Sequence, residues 1–291
     1  MSASNRAILT PRPVPFRYQR LPTLEMPVPN IPENTEIPKP GVHEVFELRV
    51  ATTRSISADA YAIRWQVYCQ EFGYEPAHLF PDQQETDAAD HRSVQVVAYY
   101  RPTGRPVGCF RLLLTDPLHL DTPFHLEEVC PELIPRSIPR TGERRLGYAE
   151  ISRYCILAPF RRFTRRPPSG VDEGQWLAEE PMRRGLATLM WFAAAHLAVH
   201  IRLDYILALM EPRLCQLARS WGFCFLPIGA GVDFHGLGLP YRIDRRSIQA
   251  LLSVPDTAAL LAPFLSTWNE QAQQHPLLYN YLEQQTRRLR R

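Results

Sequence analysis

Hydrophobic positions recur along this chain with two different periods. A period of two, with aromatic and β-branched residues, marks a strand at Tyr148–Ile156, and apolar runs mark further strands at Phe46–Ala51, Ser93–Tyr100, Val107–Leu114 and Tyr205–Met210. A helical period marks Ala58, Tyr61, Ala62, Trp65, Tyr68, Cys69 and Phe72, with Ser57 as the expected N-cap and Gly73 as the stop. A second helix is expected from Pro181, with Leu186, Leu189, Met190, Ala193 and Leu197 on one side, and a third over Pro212–Trp221. The turn Pro102-Thr103-Gly104-Arg105 joins two strands into a hairpin. Polar residues 74–92 predict a long loop. Residues 115–147 predict another, with one short helix near Glu127, and Arg161–Pro181 an insertion. Gly222–Ile228 is expected as a strand and Gly229, Gly231, Gly236 and Gly238 as a loop. Tyr241–Asp244 is expected as a last short strand, followed by helices to the C-terminus. The pattern is that of a single α/β (α+β) domain with a mixed sheet over 43–291. Residues 1–42 hold nine of the 28 prolines and are expected to form an extended or mobile arm.

Composition narrows the class. At 291 residues, with 45% hydrophobic and 22% charged content, the chain is an ordinary globular protein with room for a full core. A net charge of +3 gives no general pull toward nucleic acid. Lys39 is the only lysine, and Arg136–Arg166 holds nine arginines against two glutamates, a patch suited to an acidic partner. The six cysteines form no C-x-x-C pair, which argues against a zinc ribbon, and no metal site is expected. Cys69, Cys109 and Cys155 fall in apolar runs and are expected as buried thiols of a cytoplasmic protein. No signal peptide is evident, and the apolar stretch Leu186–Ile201 is too short to span a bilayer.

The chemistry concentrates at a few charged residues in apolar surroundings. Glu150 and Arg153 interrupt the strand Tyr148–Ile156, where an unpaired charge is costly. In a regular strand they face opposite sides; a β-bulge near Ser152 would bring them to one face and free a backbone N–H for an oxyanion. The other reading is a buried ion pair that fixes the sheet. Glu85-x-Asp87-x-x-Asp90 could bind a metal, position an amine or be a solvated loop, although its spacing is not that of a calcium loop. Arg64 flanks the first helix stripe and Arg111 interrupts the strand Val107–Leu114. Each could pair with the acidic loop or be a structural arginine. Arg183-Arg184-Gly185 opens a helix, where N–H groups would suit a phosphate, as would Arg161 and Arg162; an ordinary basic helix start is the alternative. His196 and His200 lack the glutamate of a metalloprotease motif, and there is no G-x-S-x-G elbow.

In this order, Arg64-x-x-Val67-Tyr68, Glu85-x-Asp87-x-x-Asp90, Gly108-Cys109-Phe110-Arg111-Leu112 and Glu150-Ile151-Ser152-Arg153 resemble the GNAT (N-acetyltransferase-type) superfamily. More narrowly, they resemble its acyl-homoserine-lactone synthase and N-acyl amino acid synthase branch. Met210-Glu211-Pro212-Arg213-Leu214, Ile228-Gly229, Val232-Asp233-Phe234-His235-Gly236 and Pro240-Tyr241 are similar to the exosortase-associated (PEP-CTERM system) acyltransferases. The resemblance covers about residues 45–260. It implies a mostly antiparallel central sheet flanked by helices. It further implies transfer of a fatty acyl chain from an acyl carrier protein, or from coenzyme A, to the amine of an amino acid. The acyl-phosphopantetheine thioester would be a co-substrate, with no tightly bound cofactor. Glu150, Ser152 and Arg153 would be catalytic. Arg64, Glu85, Asp87, Asp90 and Arg111 would serve the acceptor, and Arg161, Arg162, Arg183, Arg184 and Gly185 the donor. The superfamily's pyrophosphate loop follows the central strand directly. Here an insertion intervenes, and Met182 stands at its basic position. A homoserine-lactone signal synthase and a non-catalytic acyl-binding GNAT fold are the alternatives.

Overall fold

The computed structural model describes residues 12–13, 41–131, 138–161 and 166–290. Of the proline-rich arm, Arg12–Pro13 (β1) pairs antiparallel with Val232–Asp233 (β8), and a short helix α1 (Val42–Val45) leads into the sheet. The sheet has nine strands in the order β1-β8-β9-β6-β5-β4-β3-β2, with β7 (Leu226–Pro227) also on β9. β2 is Phe46–Val50, β3 Ser93–Tyr100, β4 Arg105–Leu114, β5 Tyr148–Ile156, β6 Tyr205–Met210 and β9 Leu237–Asp244. Neighbours are antiparallel except β5 and β6, which run parallel.

Because side chains alternate along each strand, the sheet has two distinct faces. On one, Phe110, Leu112, Ala149, Ile151, Ile206 and Ala208 join the main core with α7 (Leu186–His200), behind which lie α9 (Arg245–Leu252), α10 (Pro255–Gln274) and α11 (Pro276–Arg290). On the other, Val97, Tyr99, Cys109 and Cys155 pack against α2 (Arg54–Arg64), and Leu113, Tyr148 and Leu207 against α3 (His125–Val129). The remaining helices are α4 (Ala158–Arg161), α5 (Glu173–Ala178), α6 (Glu180–Arg184) and α8 (Pro212–Ser220).

Three elements depart from the sequence pattern. The cap of α2 is Thr53, whose hydroxyl accepts the Ile56 N–H at 3.3 Å, while Ser57 lies inside the helix and donates to the Thr53 carbonyl. α2 then widens into a π-helix over Trp65–Glu71 and ends at Gly73, whose φ of 64° suits glycine. α7 is not amphipathic: Trp191, Phe192, Ala194 and Ala195 are buried along with the expected stripe, because the C-terminal helices cover its outer side. β9 is an eight-residue strand beside β6 rather than a short terminal one; Gly238 and Pro240 disguise it, while Gly222–Ile228 supplies only the two residues of β7.

Candidate active site

The site is built around a bulge. Cys109 faces Cys155 and Arg111 faces Ser152, so β5 spends one more residue than β4 over this stretch. Arg153 absorbs the excess at φ 49°, an uncommon conformation for a side-chain-bearing residue. Tyr154 therefore turns toward α7, where its hydroxyl donates to the Ala187 carbonyl and its ring stacks on Trp191. Arg153 turns the other way, onto the face that carries Glu150 and Ser152. Gly108 lets this happen: a Cβ there would stand 3.1 Å from Met190 Sδ and 3.2 Å from the Cys155 carbonyl.

The bulge brings Glu150 and Arg153 to one face but does not pair them. Arg153 reaches Glu85 at 3.2 Å, Asp87 at 3.1 Å and Glu75 at 3.7 Å, and lies 5.5 Å over the Tyr68 ring. Arg64 binds Glu85 at 2.5 Å and Asp90 at 2.7 Å. Arg111 binds Asp87 at 2.6 Å and Asp90 at 2.9 Å, and donates from Nε to Ser152 Oγ at 3.1 Å. Asp87 and Asp90 also form a capping box with the backbone of their own loop. The acidic cluster is thus one buried ionic lattice and not a solvated loop. Burial opposes ionisation of all three carboxylates. The charges of Arg153 and Arg64 nonetheless hold Glu85 below the usual range, those of Arg111 and Arg153 do so for Asp87, and that of Arg64 for Asp90.

The lattice has an inside and an outside. The Arg64 and Glu85 side chains are 0% and 1% exposed and hold the loop to α2. Glu75, Asp87 and Arg153, at 31%, 18% and 14%, form its more exposed side. Ser152, half-buried, accepts from Arg111 and keeps its own proton to donate.

Glu150 is separate from the lattice. Its carboxylate accepts the Leu126 N–H at 3.1 Å, and burial raises its affinity for a proton, countered in part by His125, that N–H, Arg111 and Arg92. Above it runs an aromatic series that the sequence pattern did not single out. His125 packs against Phe234 at 5.2 Å, Phe234 against His235 at 4.5 Å, and His235 stacks on Tyr74 at 4.4 Å. The Val232–Gly236 motif was the available signal, but nothing in one sequence places it over β5.

Beside Glu150 the sheet opens. β5 and β6 pair only at Tyr148–Tyr205, Ala149–Ile206 and Glu150–Leu207. Beyond this point each keeps its outer partner, β4 or β9, and the two strands part. The parting opens toward the end of the sheet where α7 begins, since Tyr154 reaches Ala187 from there. The expected donor residues nearby are already engaged. Arg183 is buried against Trp176, stacking on its ring and donating to its carbonyl, so it is turned away from a phosphate. Arg184 pairs with Glu180, Arg161 with Glu71, and the Gly185 N–H with the Met182 carbonyl. Arg162 lies outside the described residues, as do Arg136 and Arg165 of the arginine patch. Arg213 is exposed in the first turn of α8, directly after β6, at this same end.

Residues 63–165, which contain the lattice and all of β5, match an acetyltransferase (GNAT) domain family. No curated protein matches the chain. Among solved structures it is similar to TofI in a ternary complex with an inhibitor and MTA, with 21% identity, 70% of this chain and 96% of that one covered, and a TM-score of 0.50. It is also similar to BjaI, a CoA-dependent acyl-homoserine lactone synthase, with 19% identity, 72% and 87% covered, and a TM-score of 0.50. FeeM, an N-acyl amino acid synthase from uncultured soil microbes, gives 11% identity, 75% and 96% covered, and a TM-score of 0.47. Strand order and the domain match over residues 63–165 agree on a GNAT-type fold around β5. Among the described residues no single helix is long and apolar enough to cross a membrane.

Proposed function

We propose that this chain is an N-acyltransferase that moves a fatty acyl chain from acyl carrier protein to the amine of an amino acid. The observation that carries this reading is a buried carboxylate, Glu150, at the point where β5 and β6 part, beside an ionic lattice that presents Asp87 and Arg153. Backbone groups of β5 beyond Glu150 have no strand partner on the β6 side, so an extended amide-bearing arm fits along that edge. The lattice sets three guanidinium groups against four carboxylates, Glu75, Glu85, Asp87 and Asp90. Asp87 and Glu75, the more exposed of these carboxylates, suit an incoming ammonium. Glu150 takes the ammonium proton, and burial makes it a stronger base than a solvated glutamate. The freed amine attacks the thioester carbonyl and a β5 N–H holds the oxyanion; as the intermediate collapses, the C–S bond breaks and the second proton on nitrogen passes to the departing sulfur, which leaves as the phosphopantetheine thiol. Ser152 has a proton available for the same centre. The text from Met210 to Tyr241 supports the exosortase-associated branch.

The test is thiol release from long-chain acyl carrier protein with each of the twenty amino acids. Glu150→Gln is expected to lower kcat by about 10²-fold or more. Turnover with S-adenosylmethionine alone would move the assignment to a homoserine-lactone synthase. Bound acyl chains without turnover would make the chain a binding module.

A further inference from the structure

A buried base that accepts a proton at every turnover must also discharge it. Glu150 is 1% exposed, and its one hydrogen bond, from Leu126 N–H, cannot carry the proton away. The residue before Leu126 is His125. Its Nε2 is buried and has no hydrogen-bond partner, although the side chain as a whole is 27% exposed. On the other side of the ring, Nδ1 lies 3.6 Å from Glu128 Oε2, and the Glu128 side chain is 60% exposed. The ring thus has one buried nitrogen without a partner and another beside an exposed carboxylate, and it is next in the chain to the residue that binds Glu150. Phe234 holds it edge to face at 5.2 Å, and His235 and Tyr74 extend that wall.

We infer that His125 is the proton outlet of Glu150, a positioning residue that resets the base between turnovers. The inference rests on the reading of Glu150 as the base that receives the acceptor's proton. No hydrogen bond joins the two side chains, so the transfer runs through a water that gives Nε2 its missing partner. Neutral His125 takes the proton at Nε2 and releases the Nδ1 proton to solvent beside Glu128, leaving Glu150 ionised for the next amine. Exchange with solvent restores the starting tautomer. The titratable and charged groups around the ring are Glu128 on α3, Glu150 on β5 and His235 from the turn after β8. Arg111 on β4 and Arg92, which precedes β3, act on Glu150 in the same region.

The experiment compares wild type, His125→Phe and His125→Ala in multiple-turnover thiol release over a range of pH and buffer concentration. His125→Phe keeps the ring against Phe234, and a thermal melt checks that it folds. Both variants are expected to lose about tenfold or more in kcat with little change in KM, less than the loss of a general base itself because water still drains the proton slowly. The pH profile should lose one ionisation, and added imidazole should restore His125→Ala in a saturable way. If both variants match the wild type in kcat and its pH dependence, or if imidazole has no effect on an impaired His125→Ala, the outlet is overturned while acyl transfer stands. A wild type without turnover on any acceptor would instead remove the function proposed above, and the outlet with it.

Discussion

Glu150 and Arg153 sit three positions apart on one strand, yet the structure gives them opposite electrostatic fates. Arg153 is surrounded by carboxylates, and their charge outweighs burial and keeps its pKa raised. Glu150 meets a backbone N–H and no arginine within salt-bridge distance, so burial dominates and its pKa is raised as well. A glutamate with a raised native pKa stabilises the fold when protonated. It contributes most at acid pH and loses that contribution as pH rises through the native value. Glu150→Gln resembles the protonated form. It is expected to raise the melting temperature at pH 8, with the gain shrinking toward pH 4, as thermal melts across pH would record. Glu85, Asp87 and Asp90 behave in the opposite sense. Their lowered values stabilise the fold above the unfolded carboxylate range, about pH 4, and that stability is lost as pH falls below it. Glu85→Ala leaves Arg64 buried without its closest carboxylate and is expected to cost about 3–5 kcal/mol in denaturant unfolding. The sequence named nearly all of these residues, because charges in apolar runs are conspicuous. Their partners were not legible, since Glu85 and Arg153 are brought together by a loop closing over a bulge.

The apolar runs of β3 to β6 could be read from the sequence almost to the residue, because both faces of each are packed and the runs are bounded by polar or turn residues. β9 was largely hidden, since Gly238 and Pro240 resemble a loop unless β6 lies alongside to pair with the strand. α7 misled for a different reason. Its apolar stripe is real, but its other sides are apolar too, and only the arrival of α9 and α10 explains that. At this scale Gly108 is the sensitive point. It lies where β4, the β5 bulge and α7 meet, and one of its close neighbours is a backbone carbonyl that cannot swing aside. Gly108→Val is expected to cost about 1–3 kcal/mol in denaturant unfolding by overpacking, and to lower acyl transfer through displacement of the bulge.

Across the whole molecule, two groups of arginines lie at opposite ends of β6. Arg245 and Arg288 pair with Asp204 just before β6 begins, away from the parting of the strands. Arg161, Arg184 and Arg213 lie at the end where the strands part, and an acidic carrier protein would meet these. Attraction there is screened over about 8 Å at physiological ionic strength. KM for the carrier is therefore expected to rise with salt and to rise further in Arg213→Glu, with kcat little changed; steady-state kinetics at several salt concentrations would check both. The three-position seam between β5 and β6 has a mechanical consequence as well. β2–β5 and β6–β9 meet through only three paired positions. A ligand arm bonded to both free edges would act as a clasp, adding the rungs that the chain leaves out. Amides of Ile151–Cys155 and Ala208–Met210 should then slow together in hydrogen exchange when donor binds, as one cooperative closure rather than two local ones.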